Sequence, residues 1–342
     1  MSNQKKIDSI VFCKTKTAWV LYTFFFLQKS VIKNTVNKYS YIRNLLKKTP
    51  GGHAFHFSKK SIFEFTESKR LKILEKAWLN GGLSFRACFS DITKKTSANK
   101  IVSNYIRDKI KRIVKDKHIA KILTDFGHPF TTKRPTLNTN YFETFNRKNV
   151  QLVDLKTNPI IKITKKGIKT KNEELKFDKI IFATGYDALS GPILSLNLTG
   201  RKNIKLKKYW KNGPKTFLGI MIPNFPNFFV ISGPGSPSVL TNVPAQIEQH
   251  VEWISKFIKH LEKVGCSKVE PGIKETENWV NEINILANKS LFMKAKNSWY
   301  KGDNIPGKPK KFIPYPAGLP QYREICNKVQ KKMYKGFNIS LK

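Results

Sequence analysis

KIIFATGYDALSG at residues 179–191 and FPNFFVISGPGSPSVLTN at 225–242 are the stretches on which the fold turns. Each begins as an apolar run of strand length and breaks at glycine. KIIFATG reads as a buried parallel strand, because such strands are covered on both faces and lose the apolar/polar alternation of a half-exposed strand. FFVIS reads as a second strand of the same kind. Its GPGSPS break leads into a pattern of helical period, in which Ile247, Val251, Ile254, Ile258 and Leu261 fall along one face. A strand, a loop of small residues and a helix N-terminus aim backbone N–H groups and the positive end of a helix dipole at one point. That geometry suits an anionic or electron-rich ligand. Two ordinary strand-to-helix turns would use the same letters.

Working outward, VQLVDL (150–155) and IIKITKKGIKT (160–170) read as short strands, the second turning at Gly167 and alternating as a half-buried hairpin would. A helix is expected from about Thr66 to Asn80, with Leu71, Leu74 and Trp78 on one face and Gly81-Gly82 as its stop. Residues 98–117 repeat the pattern through Ile101, Val102, Tyr105, Ile106, Ile110 and Ile113, with basic residues opposite. Apolar stripes at this spacing are core, and a basic helix face is ordinarily solvated.

Several segments resemble, in order and spacing, the C-terminal part of the flavin-dependent Baeyer–Villiger monooxygenases of the cyclohexanone and phenylacetone monooxygenase type. They are YSYIRNLLKKTPGGHAFHF (39–57), FGHPFTTKRP (126–135), FATGYDALSGPIL (182–194), KNGPKTFLGI (211–220), FPNFFVISGPGSPSVLTN, IEQHVEWI (247–254) and SWYKGDNIPGKP (298–309). The resemblance implies an α/β fold: an incomplete flavoprotein with two Rossmann-like dinucleotide-binding domains and a helical insertion. Residues 1–34 stay unassigned. Residues 35–125 would form a helical subdomain, 126–180 the last strands of an NADPH-binding domain, and 181–342 the C-terminal part of an FAD-binding domain.

The implied activity is FAD- and NADPH-dependent insertion of one oxygen of O2 into a ketone, giving an ester or lactone. Arg134 stands where the family has its catalytic arginine, and Lys133 where it has a cofactor-contacting lysine. A permanently charged, planar guanidinium suits a developing anion, and a lysine ammonium suits the 2′-phosphate of NADPH. Gly185 would let backbone approach the cofactor, and Asp187 would contact it or brace the loop. The backbone of Asn242 and Val243 would face the flavin, Ser238 and Val239 would line the substrate pocket, and Trp299 would touch the nicotinamide cofactor. Pro244 fits the first helical turn but removes one N–H there. His250 has no evident sequence partner and reads as structural.

The family also requires two GxGxxG fingerprints that carry dinucleotide pyrophosphates on helix N-termini. Neither occurs in these 342 residues. The chain therefore reads as a truncated member, active with a partner chain that supplies the N-terminal half, or else as a catalytically inactive fragment.

Composition adds a third reading. Lys plus Arg number 64 against 23 Asp plus Glu, a formal charge of +41, which favours polyanionic partners such as nucleic acid or acidic surfaces. The lysines are dispersed rather than gathered into one tail, which fits surface drift better than a nucleic-acid footprint. Tyr209-Trp210 among lysines superficially resembles a stacking platform, but lies within a family segment. The 4 cysteines show no ligand or disulfide spacing, so no metal is expected and a reducing cytoplasm is. The apolar run TAWVLYTFFFL (17–27) is shorter than the roughly 20 residues of a membrane span.

Overall fold

The computed structural model describes residues 9–13, 20–22, 33, 35–185 and 187–341. These fall into two compact units, one of Met1–Phe24 and Lys60–Tyr186, the other of Phe25–Lys59 and Asp187–Lys342. The principal helices in chain order are α1 (Tyr39–Lys48), α2 (Glu67–Asn80), α3 (Thr96–Ile113), α4 (Lys117–Thr124), α5 (Val243–Lys263), α6 (Ile273–Asn288) and α7 (Leu319–Lys331). The strands are β1 (Ser9–Cys13), β2 (Val20–Tyr22), β3 (Thr136–Asn138), β4 (Val150–Asp154), β5 (Ile160–Thr164), β6 (Gly167–Thr170), β7 (Glu174–Lys176), β8 (Cys266–Pro271) and β9 (Phe337–Leu341).

In the first unit, β1 pairs parallel with β4 and β2 parallel with β3, so residues that matched no sequence pattern join strands more than a hundred residues away. Strands β5, β6 and β7 form an antiparallel sheet. The core is helical, with Ile62, Leu74, Trp78, Phe85, Val102, Ile106 and Phe130 buried together. Helix α2 begins after extended Thr66 and stops at Gly81, whose φ of 64° only glycine adopts without strain and whose N–H reaches Ala77 O and Trp78 O. Leu71 is not core as its spacing implied: it is half exposed, while Leu74 and Trp78 carry the packing.

The second unit packs α1, α5, α6 and α7 with the antiparallel pair β8–β9. Its core is rich in aromatic rings. Trp279 stacks on Tyr315 at 4.9 Å, and Phe257 on Tyr334 at 4.1 Å. Helix α1 is joined to α5 by an Arg43–Glu248 ion pair, and Asn242 N–H donates to Gly51 O at 2.8 Å. Residues 35–59 thus pack with 187–342 rather than with α2 and α3.

Three strand expectations and one helix expectation are corrected. KIIFATG forms no strand: residues 179–185 are irregular, with Ile181 91% and Phe182 64% exposed. A buried parallel strand exists only between neighbours, and none of the described strands pairs with it. FFVIS holds a single bridge, Phe229 to Met221, instead of a strand. On β5 the half-buried alternation fails, since Ile160, Ile161 and Ile163 are all exposed, whereas β6 keeps it, burying Ile168 and Thr170 about exposed Lys169. On α5 the buried face carries Ala245, Gln246, Gln249, His250, Trp253, Ile254, Phe257 and Leu261, leaving Ile247, Val251 and Ile258 largely outside. The two aromatic rings bury more surface than the isoleucines would, and hydrogen bonds to His250 make the polar side tolerable.

Among the described residues, no helix is long and apolar enough to cross a membrane. Within the run at 17–27, Val20–Tyr22 is strand β2 and the remaining residues lie outside the described ones.

Candidate functional site

Lys133 and Arg134 lie at the end of the loop between α4 and β3, both half-buried. The loop is held by Asn99, a buried residue of α3. Its amide nitrogen donates to Phe130 O at 2.9 Å and Ile92 O at 2.8 Å, and its oxygen accepts from Phe130 N–H at 3.0 Å and Ser103 Oγ at 3.0 Å. One side chain thereby satisfies both backbone groups of Phe130, as a neighbouring strand would. The next turn is closed by Thr132, whose hydroxyl donates to Pro129 O at 2.7 Å and lies 3.1 Å from His128 Nδ1. Thr131 takes φ of 68° and Thr132 is buried, so the backbone entering the Lys-Arg pair is tightly constrained. Sequence reasoning passed over Asn99. Its signal was an amide on the stripe of Val102 and Ile106, where only a hydrogen-bonded polar group belongs.

A groove of about 580 Å3 lies between α2 and α3 in the same unit, lined by Arg70, Leu74, Glu75, Tyr105, Lys109 and Arg112 among others. Glu75 pairs with Lys109 at 2.6 Å and accepts from Tyr105, and these partners draw its carboxyl below the usual range. None of the candidate catalytic, cofactor or substrate residues named from the sequence lines it.

In the second unit, the GPGSPS turn is braced almost wholly by its own chain. Gly233 O accepts from Ser236 N–H and Oγ, Gly235 N–H donates to Ile313 O at 2.8 Å, and Gly235 O accepts from Trp279 Nε1 at 3.1 Å. Ser236 O accepts from Tyr315 N–H at 2.8 Å, and Thr216 Oγ1 donates to Pro234 O. Gly235 has φ of 88°, and a Cβ there would stand 2.8 Å from Thr216 Oγ1. A Cβ on Gly219 would stand 2.5 Å from Ser236 N. Atoms of the protein itself, side chains about Gly235 and backbone about Gly219, demand these two glycines.

Beyond the turn, buried Ser238 and half-buried Val239 open a single turn of tight helix, Ser238–Leu240, before α5 begins at Val243 after Asn242. The side chain of Asn242 makes no capping bond to the helix, and Pro244 sits in the first turn as expected. This end of a 21-residue helix is therefore not closed by its own cap.

His250 anchors the approach to the turn. It is fully buried and its Nδ1 accepts from Ser232 N–H at 3.2 Å, which places the ring proton on Nε2. Nε2 faces Tyr322 Oη at 2.7 Å, and that hydroxyl donates to Leu218 O at 2.6 Å. The Gln246 amide is 3.1 Å from the same nitrogen. Burial pushes the imidazole down to about 4, so it is neutral at pH 7. Its role is structural, and its partners come from residues remote in sequence.

The Trp299 loop is tied to the same turn through residues 311–315. Ile313 N–H donates to Tyr300 O at 2.8 Å, while Ile313 O and Tyr315 N–H serve Gly235 and Ser236. Half-buried Trp299 packs on Tyr300, with ring centroids 4.9 Å apart. Within the loop Lys301 pairs with Asp303 at 3.1 Å. Asp187 forms an ion pair with Lys308. Ser238, Val239, Asn242, Val243, Trp299 and Asp187 are thus linked within one unit. Gly185 belongs to the other, with φ of 81° and open space where a Cβ would lie. Among the described residues, no group of three or more His, Cys, Asp or Glu could hold a metal ion.

No protein-family model matches the chain. The cyclohexanone 1,2-monooxygenase of Acinetobacter sp is 38% identical over 277 residues, which are 80% of this chain and 50% of that protein. A Baeyer-Villiger monooxygenase of Pseudooceanicola batsensis is 38% identical over 299 residues, 86% of this chain and 54% of that one. Among solved structures, the OTEMO complex with FAD and NADP superposes with a TM-score of 0.92 at 30% identity, covering 97% of this chain and 61% of that chain. The chain spans about half the length of the curated relatives it matches.

Proposed function

This chain belongs to the Baeyer–Villiger flavin monooxygenases, corresponding to the C-terminal portion of its members, and from that premise we propose that it carries part of the machinery for NADPH- and O2-dependent conversion of a ketone to an ester or lactone. What supports the reading is the Lys133-Arg134 pair, which the resemblance matches to the family's cofactor-contacting lysine and catalytic arginine, carried on a loop fixed by buried hydrogen bonds.

The residues present fit some parts of the cofactors and not others. The uncapped start of α5 at Asn242 and Val243 fits the electron-rich edge of a flavin ring. Lys133 fits the 2′-phosphate of NADPH, and the Trp299 ring offers a flat apolar face to the cofactor. No GxGxxG occurs to hold a pyrophosphate, and the glycines at 219 and 235 are filled against by protein. The pyrophosphate cradles must come from polypeptide outside these residues, and in our reading a partner chain brings them.

When bound, FAD reduced by NADPH supplies the oxygen chemistry. Arg134 holds negative charge where it develops. Ser238 and Val239 bound the space for the ketone. Asp187, occupied by Lys308, braces the loop rather than meeting the cofactor.

The test supplies the chain with a polypeptide bearing both glycine fingerprints and measures flavin absorbance and ketone-dependent O2 uptake with NADPH. The reading expects a bound flavin, turnover with a cyclic ketone, and a loss of about 100-fold or more in Arg134→Ala with flavin binding intact. Flavin binding without any ketone-dependent uptake would favour a non-catalytic chain, a reading to which the exposed Ile181 and Phe182 lend support for the chain taken alone.

A further inference from the structure

We propose that Lys308 is a positioning residue: paired with Asp187, it latches the loop 299–310 that bears Trp299 and so fixes where that ring can meet the nicotinamide cofactor. The inference rests on the cofactor reading above for its last clause only.

Lys308 is 11% exposed in its side chain and pairs with the carboxylate of Asp187. Its ammonium also lies 3.4 Å from Ala188 O, so it reaches two groups of the segment that follows the KIIFATG run. The loop between Trp299 and Lys308 contains no regular helix or strand. Its first half is tied down by Asp303, which pairs with Lys301 at 3.1 Å and accepts from Ser298 N–H at 2.5 Å. Toward Lys308 the ties are turns, Ile305 N–H to Gly302 O at 3.3 Å and Lys308 N–H to Ile305 O at 3.2 Å, and such long bonds leave that half easily opened. At its base, residues 311–313 hold Tyr300 and Lys301 by backbone pairing. At its far end the Lys308–Asp187 pair is the contact that returns the loop to the rest of the unit.

The geometry around Asp187 is equally tight. A Cβ on Gly191 would fall 2.6 Å from Asp187 Cγ, so the carboxylate is seated against the backbone of the next turn and held facing the lysine. A charge-assisted bond in this setting is directional and stronger than a neutral one.

A mere cost of burying charge makes a different prediction from a latch. If Lys308 only burdened the fold, Lys308→Met, which keeps the apolar stem, would be neutral or stabilising. If it is a latch, Lys308→Met and Asp187→Asn both free the loop.

The experiment is hydrogen exchange on residues 299–310 in the full chain, followed by NADP+ titration of the chain supplied with its glycine-fingerprint portion. We expect exchange to rise about 10-fold in both variants and to recover in Lys308→Arg, with NADP+ binding weakened about 10-fold in step. Unchanged exchange in both variants overturns the latch. Faster exchange with unchanged NADP+ affinity overturns the positioning role. If the wild-type chain binds no NADP+, the cofactor reading fails, while faster exchange still upholds the latch.

Discussion

Acidification should unfasten the second unit through His250. In the folded chain the ring titrates near 4, displaced from an ordinary 6.5 by burial. The unfolded chain takes up a proton near 6.5. Between those values the unfolded state binds a proton that the folded state refuses, so stability rises with pH across that window. The contribution is complete above about pH 6.5 and is lost as pH falls toward about 4. A gap of 2.5 pH units corresponds to about 3 kcal/mol. Set against a typical domain stability of about 5–15 kcal/mol, that is a large share. Protonation would also turn Nδ1 from acceptor to donor and set it against Ser232 N–H, immediately before the GPGSPS turn. The assay is the urea midpoint, followed by tryptophan fluorescence, at pH 7, 6, 5 and 4.5 for the wild type and His250→Gln. Other groups contribute equally to both proteins, so the difference in slope isolates His250. Between pH 7 and 4.5 the wild type should lose about 2 kcal/mol more than the variant. Equal losses would refute the reasoning. Should the variant fail to fold, the His250 ring resonances serve instead, and a midpoint near 6.5 in the folded chain would be equally fatal.

Two further outcomes test the supports of the site. Asn99→Leu leaves Phe130 N–H and O, Ile92 O and Ser103 Oγ without their buried partner, and should destabilise the first unit by about 3 kcal/mol; amide exchange at residues 128–134 that stays at the wild-type rate would contradict this. Gly235→Ala must place a Cβ at φ of 88° and 2.8 Å from Thr216 Oγ1, for a loss of about 1–3 kcal/mol in urea unfolding; a variant as stable as the wild type would show that the turn relaxes freely.

The sequence alone disclosed what is local. Gly81 stops α2 as its chemistry demands, the β5–β6 hairpin turns at Lys165-Lys166 immediately before Gly167, and Pro244 sits in the first turn of α5. What it concealed is whatever depends on distant partners. KIIFATG has the composition of a central strand, but composition cannot bring the neighbours that make one. On α5 a purely apolar template selects Ile247, Val251 and Ile258, and the real interior admits Gln246, Gln249 and His250 because Ser232 and Tyr322 arrive from elsewhere. Asn99, Lys308 and the strand pair β1–β4 were hidden for the same reason: each acquires meaning from residues dozens to more than a hundred positions away. The family segments fared better, since their order carries tertiary information that periodicity lacks.

The short span from Lys311 to Tyr315 has a consequence for anyone altering specificity. It gives one hydrogen bond each to Tyr300 and Lys301 and two to the GPGSPS turn, so it acts as a splint between two surfaces. Substitutions at 235, 300 and 313 will then be epistatic rather than additive, because each one resets the ground the others stand on. Redesign of the Trp299 side and of the Ser238 side should be screened as a single library, not as two campaigns merged afterwards.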